Sequence, residues 1–180
     1  MVKIKNFILL SVLMIMFLGC GYSTRSLALK NYKKIHVEPF TNKINLTDEG
    51  SEYRKLVTYY PALEVNVTQA VIDRFIFDGN LKVVQIKDAD LILKGELVAY
   101  LREALRYRND EDVEEYRIVL IVNLSLWEKD KSEPLWQEMN FKGETTYFTS
   151  GSNAETEERA IQDLMVDFSR RVIERIVEPW

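Results

Sequence analysis

The residue with the most distinctive chemical surroundings is Cys20, the only cysteine in this 180-residue sequence. It follows Gly19 and an uncharged apolar run, Phe7–Leu18, which two lysines precede. A positive start, a short apolar stretch and a small residue before the cut are typical of a secretory signal peptide. A cysteine directly after the cut is the residue that bacteria acylate in lipoproteins. The pattern therefore predicts a signal peptide over residues 1–19 and a covalent diacylglycerol or acyl lipid on Cys20.

Two other interpretations of this segment stay open. The apolar run is too short for a transmembrane helix, which needs roughly 20 residues, but an uncleaved anchor or a plain cleaved signal with an incidental cysteine would show similar features. Phe17 and Leu18 also depart from the usual lipoprotein pattern, which has leucine and then a small residue at these positions. Gly21 after the cysteine is not aspartate, and by the enterobacterial sorting pattern this predicts release to the outer membrane.

Few other side chains could support catalysis or hold a cofactor. The single histidine, His36, has no companion at metal-ligand spacing, and the sequence has no cysteine–histidine cluster and no glycine-rich phosphate loop. The acidic stretch 110–115 lacks the ligand spacing and the turn glycine of a calcium-binding loop. We therefore expect a protein that is not an enzyme and that has no metal and no cofactor other than the lipid on Cys20.

The charge balance argues against a nucleic-acid-binding protein. Removing residues 1–19 takes away two lysines and no acid, which changes the formal charge from −4 to −6. Nucleic-acid binders normally carry a basic surplus. With Cys20 acylated, no thiol remains for a disulfide, so that packing alone must stabilise the domain.

Hydrophobic periodicity divides the remaining chain into elements. The patterns predict a half-buried strand at 34–38 that Pro39 ends or places at a sheet edge, a long loop at 41–60, a helix between Pro61 and Gly79, strands at 82–86 and 90–102, an exposed charged turn at 103–114, an antiparallel strand pair at 115–127 and 134–148, and a final helix. Ser152 and Glu155 fit a capping box for that final helix, which Pro179 stops. On the strand at 90–102, the alternation places Leu97, Ala99 and Leu101 on one face.

This order, β-α-β-β-β-α, predicts an α+β domain with two helices packed on one face of a small mixed four-to-five-stranded sheet. The domain organisation would be a signal peptide at 1–19, a lipidated tether at 20–33 and a single domain at 34–180. The other face of the sheet carries Val119, Ile121 and Trp127 and is too apolar for a solvated surface. We expect this face to be uncovered and to bind a partner.

Several segments together resemble the lipopolysaccharide-assembly lipoprotein (LptE) family across essentially the whole mature chain. The segments that carry the resemblance are Gly19–Tyr22, Ile35–Asn42, Leu63–Phe75, Ala89–Leu97 and Gly143–Phe148. In that family, a lipidated domain of two helices and four strands sits inside a large outer-membrane β-barrel, LptD. The resemblance implies a lipoprotein anchored on the periplasmic side of the outer membrane. It would plug an LptD-like barrel and bind lipopolysaccharide during its delivery to the cell surface.

A plug and lipopolysaccharide carrier needs apolar and cationic surfaces. Aromatic side chains at Tyr53, Tyr59, Tyr60, Tyr147 and Phe148 could pack against a barrel wall, or Tyr147 and Phe148 could complete the core. Lipid A and the inner core are anionic, so that contacts with lipopolysaccharide should be basic. Candidate contacts on or near adjacent predicted strands, which a solvated strand face would explain equally well, are Arg102, Arg106, Arg108, Arg117 and Lys142.

Two other functions stay open at this point. A lipoprotein of similar fold could act as an adaptor or activator of a cell-envelope enzyme by protein contact. An oligomeric secretion pore would need long amphipathic hairpins, and the charged tips and the single copy of the hairpin at 115–148 argue against it. The hypothesis of a barrel-binding lipoprotein predicts an integral β-barrel as the partner. The adaptor hypothesis predicts a soluble enzyme domain.

Overall fold

The computed structural model describes residues 31–45, 58, 60–108 and 111–177. We number the elements in chain order. They are β1 (Lys34–Val37), β2 (Thr41–Asn42), α1 (Leu63–Asp78), β3 (Lys82–Val83), a 3-10 turn (Ile86–Asp88), β4 (Leu91–Tyr107), β5 (Val113–Glu128), β6 (Pro134–Phe148) and α2 (Glu157–Val177). The predicted signal peptide, Cys20, most of the tether and most of the loop at 41–60 lie outside the described residues.

The described strands form one mixed sheet. Its order is β3-β1-β4-β5-β6, and the two-residue β2 pairs with β4 farther along the same edge as β1. β1 is parallel to β3 and to β4, whereas β4, β5 and β6 are antiparallel neighbours. One continuous core joins both helices to the same face of this sheet. The predicted α+β class, the mixed sheet and the two-helix layer are confirmed.

The strand at 34–38 is an internal strand that ends before Pro39. Of the two alternatives for Pro39, the strand end is confirmed and the edge position is wrong. β1 lies between β3 and β4, and the pairing of Ile35 with both Val83 and Leu91 fills both of its hydrogen-bonding sides. Pro39 falls just after the strand, where its missing N–H removes no ladder bond. His36 lies 3.0 Å through Nδ1 from the Val84 carbonyl oxygen, which is a structural contact.

Helix α1 forms where its apolar residues recur every four positions. Leu63, Val67, Val71 and Phe75 are all buried against the sheet. Gly79 ends the helix with φ 73°, and its N–H donates to the Phe75 carbonyl at 3.0 Å. This left-handed conformation is one that glycine adopts without a Cβ penalty, and it confirms the predicted helix end.

Helix α2 begins later than the capping box predicts. The helix starts at Glu157, and the Thr156 hydroxyl accepts the Arg159 N–H at 3.3 Å. Threonine is a preferred N-cap because its side-chain oxygen satisfies a helical N–H that has no carbonyl partner. Ser152 and Glu155 instead belong to the loop after β6, where the Glu155 N–H donates to the Phe148 carbonyl at 2.9 Å.

The charged segment at 103–114 is mostly strand, so the predicted exposed turn is wrong there. β4 runs to Tyr107 and β5 starts at Val113. Opposite charges face each other across the two strands, with Arg117 3.7 Å from Glu103 and Arg106 3.6 Å from Glu115. Cross-strand pairs of opposite charge stabilise neighbouring strands. A segment of charged residues lacks apolar alternation, and the sequence pattern therefore predicts a turn there.

A β-bulge at Val98 reverses the face on which later β4 residues lie. The register with β5 shifts between Leu97 and Ala99. Leu97 and Tyr100 therefore both pack in the core beneath the helices, while Ala99 and Leu101 lie on the opposite face. The predicted common face for Leu97, Ala99 and Leu101 is wrong because one extra residue in a strand inverts the alternation that follows it.

The face opposite the helices holds a second, smaller apolar cluster. Ala99, Leu101, Val119 and Ile121 are each at most 9 % exposed, and Ile121 is fully buried. The prediction that this face is uncovered is therefore wrong at its centre. The apolar composition that motivated the prediction is genuine, but here it reflects a buried cluster.

Candidate functional site

The five cationic candidates do not lie on one surface. After the bulge, Arg102 shares the helix-covered face with Tyr100. Arg117 and Lys142 lie on the other face. Arg117 directly precedes the core residue Ile118 on β5, and Lys142 pairs with Ile121, which faces away from the helices. Arg106 is drawn to that same face by Glu115, and Arg108 lies where the β4–β5 hairpin closes. The bulge at Val98 therefore separates Arg102 from the other four candidates.

Arg102 belongs to a polar cluster at the start of α2. Its guanidinium lies 3.4 Å from Glu157 and 3.9 Å from the centre of the Tyr116 ring. The Tyr100 hydroxyl donates to Glu157 at 3.1 Å, and the Tyr147 hydroxyl donates to the same carboxylate at 3.4 Å. One carboxylate thus joins β4 and β6 to the first turn of α2, where the helix dipole also favours a negative charge.

Burial and the neighbouring carboxylate keep both tyrosines of this cluster protonated. Burial, with Glu157 next in importance, raises the pKa of Tyr147 to about 12. The same causes raise the pKa of Tyr100 still further above its ordinary value. The two hydroxyls therefore stay protonated near neutral pH and act as hydrogen-bond donors that join β4 and β6 to α2.

Arg106, Arg117 and Lys142 form the cationic part of the opposite face, which we call the open-face cations. The Arg106 side chain is 60 % exposed and lies 5.8 Å from the centre of the Phe148 ring. Arg117 is 41 % exposed beside Glu103. Lys142 is exposed, and within the described part of the chain no carboxylate oxygen lies within 4 Å of its ammonium group. These three side chains can donate to an anion that approaches the sheet from the side without helices.

Arg108 is held at the rim of the hairpin. Its N–H donates to the Asp112 carbonyl at 2.8 Å, and its guanidinium contacts the Ser150 hydroxyl and lies 4.0 Å from Glu114. It therefore links the hairpin to the loop that precedes α2. This position leaves it on the border between the two faces.

Of the aromatic residues predicted to pack against a partner, Tyr147 and Tyr60 instead pack against other rings of the domain. Tyr147 is buried and stacks on Tyr116 with 5.6 Å between ring centres, which makes it part of the core. Tyr60 packs against Tyr100 at 6.2 Å. Tyr53 and Tyr59 lie outside the described residues. Sequence reasoning missed Glu157 as the acceptor that organises this region, because a glutamate in a first helical turn is already explained by the helix dipole.

Metal-ligand clusters, cavities and helices complete the description of the site. Across the described ranges, no three histidine, cysteine, aspartate or glutamate side chains are grouped so that they could hold a metal ion. A shallow surface cavity of about 400 Å3 is lined by Asn31, Tyr32, Ala89, Asp90, Glu128 and Lys129. Neither helix in the described part of the chain has the length and apolar character needed to cross a membrane.

Solved structures with a similar fold come from several bacteria. A hypothetical protein from Chlamydia trachomatis superposes with a TM-score of 0.51 at 12 % identity, covering 81 % of this chain and 95 % of that one. A minor lipoprotein from Acinetobacter baumannii gives 0.50 at 14 % identity, with 81 % and 91 % covered. An uncharacterised lipoprotein B from Nitrosomonas europaea gives 0.50 at 15 % identity, with 88 % and 91 % covered. At these identities the likeness establishes the fold alone.

A search of curated protein sequences gives no match to this chain. A protein-family model does match it, from residue 32 to residue 178, and its description is LptE: Lipopolysaccharide-assembly. The match begins just before β1 and ends just after α2, so that it includes both helices and every described strand. The chain therefore belongs to the LptE lipopolysaccharide-assembly family.

Proposed function

We propose that this protein is a lipoprotein, acylated on Cys20, that assists lipopolysaccharide assembly by binding an LptD-like outer-membrane β-barrel from the periplasmic side. The observation that carries the proposal is the family match over residues 32–178, which covers the complete helix-and-sheet domain. Lipopolysaccharide would be the second partner, and the acyl lipid would hold the domain at the membrane. No step in this function requires catalysis, a metal or a nucleic acid.

The shape of the domain is compatible with such a role. β4 and β5 extend the sheet to the hairpin that closes at Arg108, so that the domain is elongated along its strands. Both faces of the sheet are packed, one beneath the helices and one around Ile121. A partner on the side without helices would therefore meet charged and aromatic side chains around a buried apolar centre.

The open-face cations are the part of the surface best suited to an anionic glycolipid. Glu103 holds Arg117 only weakly, because both side chains are exposed and an exposed ion pair contributes at most about 1 kcal/mol. A phosphate that accepts from Arg117 can replace Glu103 at small cost, and arginine matches phosphate oxygens with two parallel donors. Arg106 is 60 % exposed and can donate to a phosphate from its solvent side while it stays beside Glu115. The ammonium group of Lys142 adds a positive charge, and a phosphate that binds it displaces no carboxylate of the described chain. Arg102, held by Glu157 under the helices, is poorly placed for this task.

The barrel partnership is tested by purifying the lipidated protein from detergent-solubilised membranes through a tag placed after Trp180. We expect a large β-barrel protein to copurify in stoichiometric amount. Recovery of the lipoprotein alone, or together with a soluble cell-envelope enzyme, would contradict the barrel partnership and favour the adaptor function.

Lipopolysaccharide binding is tested with the purified protein and a charge-reversal pair, Arg106→Glu with Lys142→Glu. We expect the affinity for lipopolysaccharide to fall at least about tenfold, since a lost hydrogen bond to a charged group typically costs 1.5–3 kcal/mol. The matched control is Arg159→Glu with Lys43→Glu, which makes the same charge change at exposed positions away from that face. Equal losses for the two pairs would show a general charge effect and would overturn the assignment of the open-face cations.

A further inference from the structure

One end of the sheet gathers several chain ends. Lys34 pairs with Lys82, and Leu91 pairs with Glu128, so that β1, β3 and β4 start in one row where β5 finishes. Helix α1 leads into β3 through residues 79–81 and therefore finishes at this end as well. The described chain also begins here, at Asn31. We call this region the anchor end.

The point at which the chain enters the anchor end is fixed. The Asp90 Oδ2 atom accepts the backbone N–H of Lys33 at 2.9 Å and that of Lys34 at 3.0 Å. The Asp90 carbonyl accepts the N–H of Lys129 at 2.9 Å, which joins the entry point to the β5–β6 turn. Any membrane anchor on Cys20 is therefore connected to the domain at a defined place.

The sequence between Cys20 and Asn31 limits how far the anchor end can lie from the membrane. Eleven residues span at most about 40 Å when fully extended. The 17 residues of β4 run from the anchor end to the hairpin and span about 55 Å. The hairpin therefore cannot rest on the membrane while the anchor end points directly away from it. The tether does permit orientations in which the anchor end or a long side of the domain faces the lipid.

Exposed apolar side chains favour the anchor end over the long sides. Phe77 is 81 % exposed and Ile76 is 65 % exposed, and both lie in the last turn of α1. The Arg74 guanidinium lies 5.3 Å from the centre of the Phe77 ring. An aromatic ring beside a long cationic side chain is the combination that binds the boundary between lipid headgroups and acyl chains. Ile86 and Leu135 are further exposed apolar residues at this end.

The lysines of the anchor end differ from the arginines at the hairpin, whose guanidinium groups each form an ion pair with a carboxylate. Asp90 meets Lys33 and Lys34 only through their backbone N–H groups. Within the described ranges, no carboxylate oxygen lies within 4 Å of the side-chain ammonium groups at this end, which are those of Lys33, Lys34, Lys82, Lys87, Lys129 and Lys131. Acidic residues in the same loops keep the anchor end close to neutral, whereas the chain as a whole is negative. An anionic lipid surface would repel the rest of the domain more strongly than this end, which favours the same orientation.

We propose that the anchor end docks on the headgroup layer of the membrane that holds the lipid on Cys20, with Ile76 and Phe77 entering the boundary and the surrounding lysines meeting lipid phosphates. The proposal rests on the acylation of Cys20, which is part of the proposed function, but it requires neither a barrel nor lipopolysaccharide. The lipid therefore does more than tether the domain, because together with this surface it sets the direction in which the hairpin points, away from the membrane.

The test uses the mature lipidated protein in vesicles of phosphatidylethanolamine and phosphatidylglycerol, without barrel or lipopolysaccharide. Flotation with the vesicles is measured first, and failure to float would overturn the proposal by removing its anchor. An environment-sensitive fluorophore is then attached at Ser132→Cys in the β5–β6 turn, at Glu111→Cys in the hairpin or at Gln162→Cys on α2. We expect a blue-shifted emission and quenching by lipid-borne nitroxides at position 132 alone.

Two matched pairs of variants separate docking from general hydrophobicity. In the position-132 reporter, Ile76→Ser with Phe77→Ser should lower the ratio of docked to lifted domain roughly tenfold. Val65→Ser with Val166→Ser removes two other exposed apolar side chains and should leave that ratio unchanged. All four positions are at least 60 % exposed, so that folding is preserved. Equal quenching at the three reporter positions, or equal effects of the two pairs, would overturn the proposal.

Discussion

At the scale of single residues, Gly95 shows how closely the core of this domain is fitted. A Cβ atom at Gly95 would lie 2.5 Å from the ring of Phe40, which is itself buried. Phe40 follows β1, and its N–H donates to the Thr68 hydroxyl of α1 at 2.9 Å, so that its ring cannot move away freely. The glycine in the middle of β4 is therefore a packing requirement, because interiors have few voids.

We expect Gly95→Ala to lower the free energy of unfolding by about 1–3 kcal/mol, the usual cost of overpacking a core. Urea denaturation measures this change, and Glu96→Ala on the neighbouring exposed residue should change it by less than about 0.5 kcal/mol. Adding Phe40→Leu to Gly95→Ala should make the alanine less costly, since the smaller side chain gives room. Strict additivity of the two substitutions would contradict the contact.

A second feature at residue scale is the carboxylate of Glu157, which accepts two tyrosine hydroxyls and pairs with Arg102. Glu157→Gln should cost about 1–2 kcal/mol of stability, because the variant loses the ion pair and weakens both hydrogen bonds. The control is Glu144→Gln, an exposed glutamate on β6. Thermal unfolding of both variants provides the comparison, and equal stability would contradict the role assigned to Glu157.

The raised pKa of Tyr147 also predicts a dependence of stability on pH. A hydroxyl whose pKa is 10.0 when the chain is unfolded and about 12 when it is folded stabilises the fold fully below pH 10, and this stabilisation is lost as the pH rises through 12. The free energy of unfolding should therefore fall over this interval. The free energy of unfolding of the Tyr147→Phe variant should fall less steeply with pH. It should still fall, since the pKa of Tyr100 is raised in the same direction. Identical slopes in urea titrations would contradict the prediction.

At the scale of elements, the bulge at Val98 decides what each half of β4 does. Before the bulge, Leu91, Leu93 and Leu97 contribute to the core under the helices. After it, Ala99 and Leu101 turn to the other face and join Val119 and Ile121 of β5. The sheet thereby gains a second apolar cluster, and Tyr100 and Arg102 come within reach of Glu157. A single inserted residue thus creates both the polar cluster and the packing of the open face.

If this second cluster is a true core, Ile121→Ala should destabilise the protein by about 2–4 kcal/mol, even though Ile121 faces away from both helices. Lys142→Ala, at the residue paired with Ile121 on β6, is the control and should change stability by less than about 0.5 kcal/mol. Chemical denaturation of the two variants measures the difference. A loss for Ile121→Ala no larger than that of the control would mean that this face does not contribute to stability.

At the scale of the whole molecule, the two ends of the domain have different character. The hairpin end carries arginines that are each paired with a carboxylate. The anchor end carries lysines without such pairs and the exposed side chains of Ile76 and Phe77. Family membership makes lipopolysaccharide assembly the context in which this polarity acts. The proposed orientation would present the hairpin and the open-face cations away from the membrane surface that holds the anchor.

At this scale we predict that Cys20→Ser abolishes incorporation of radiolabelled palmitate and moves the protein from the membrane fraction to the soluble periplasmic fraction. The melting temperature of the purified domain should stay unchanged, because the described contacts that form the core begin at Tyr32. Continued palmitate incorporation in the variant would contradict acylation at this cysteine. Retention in the membrane without palmitate would instead favour an uncleaved apolar anchor.

The sequence by itself was sufficient for the elements whose pattern repeats locally. The four-residue spacing from Leu63 to Phe75 and the glycine after Asp78 determine α1, and strict alternation from Ile118 to Leu126 determines the core face of β5. These signals suffice because backbone geometry alone sets the periods of helices and strands. Four of the five segments that resemble the LptE family, all except Gly19–Tyr22, lie within the matched residues 32–178 and fall on described strands or on α1.

Only the tertiary structure decided which side chains meet. Alternation cannot show a bulge, so that the faces of Ala99, Tyr100, Leu101 and Arg102 were assigned wrongly from the sequence. The charged residues near the β4–β5 hairpin predict a solvated turn from the sequence alone. The structure shows instead that Glu103 and Arg117 form an ion pair across the two strands. Glu157 becomes the acceptor of two tyrosines because α2 returns over the sheet to β4, 57 residues earlier in the chain. Such contacts depend on distances between remote segments, which local periodicity does not contain.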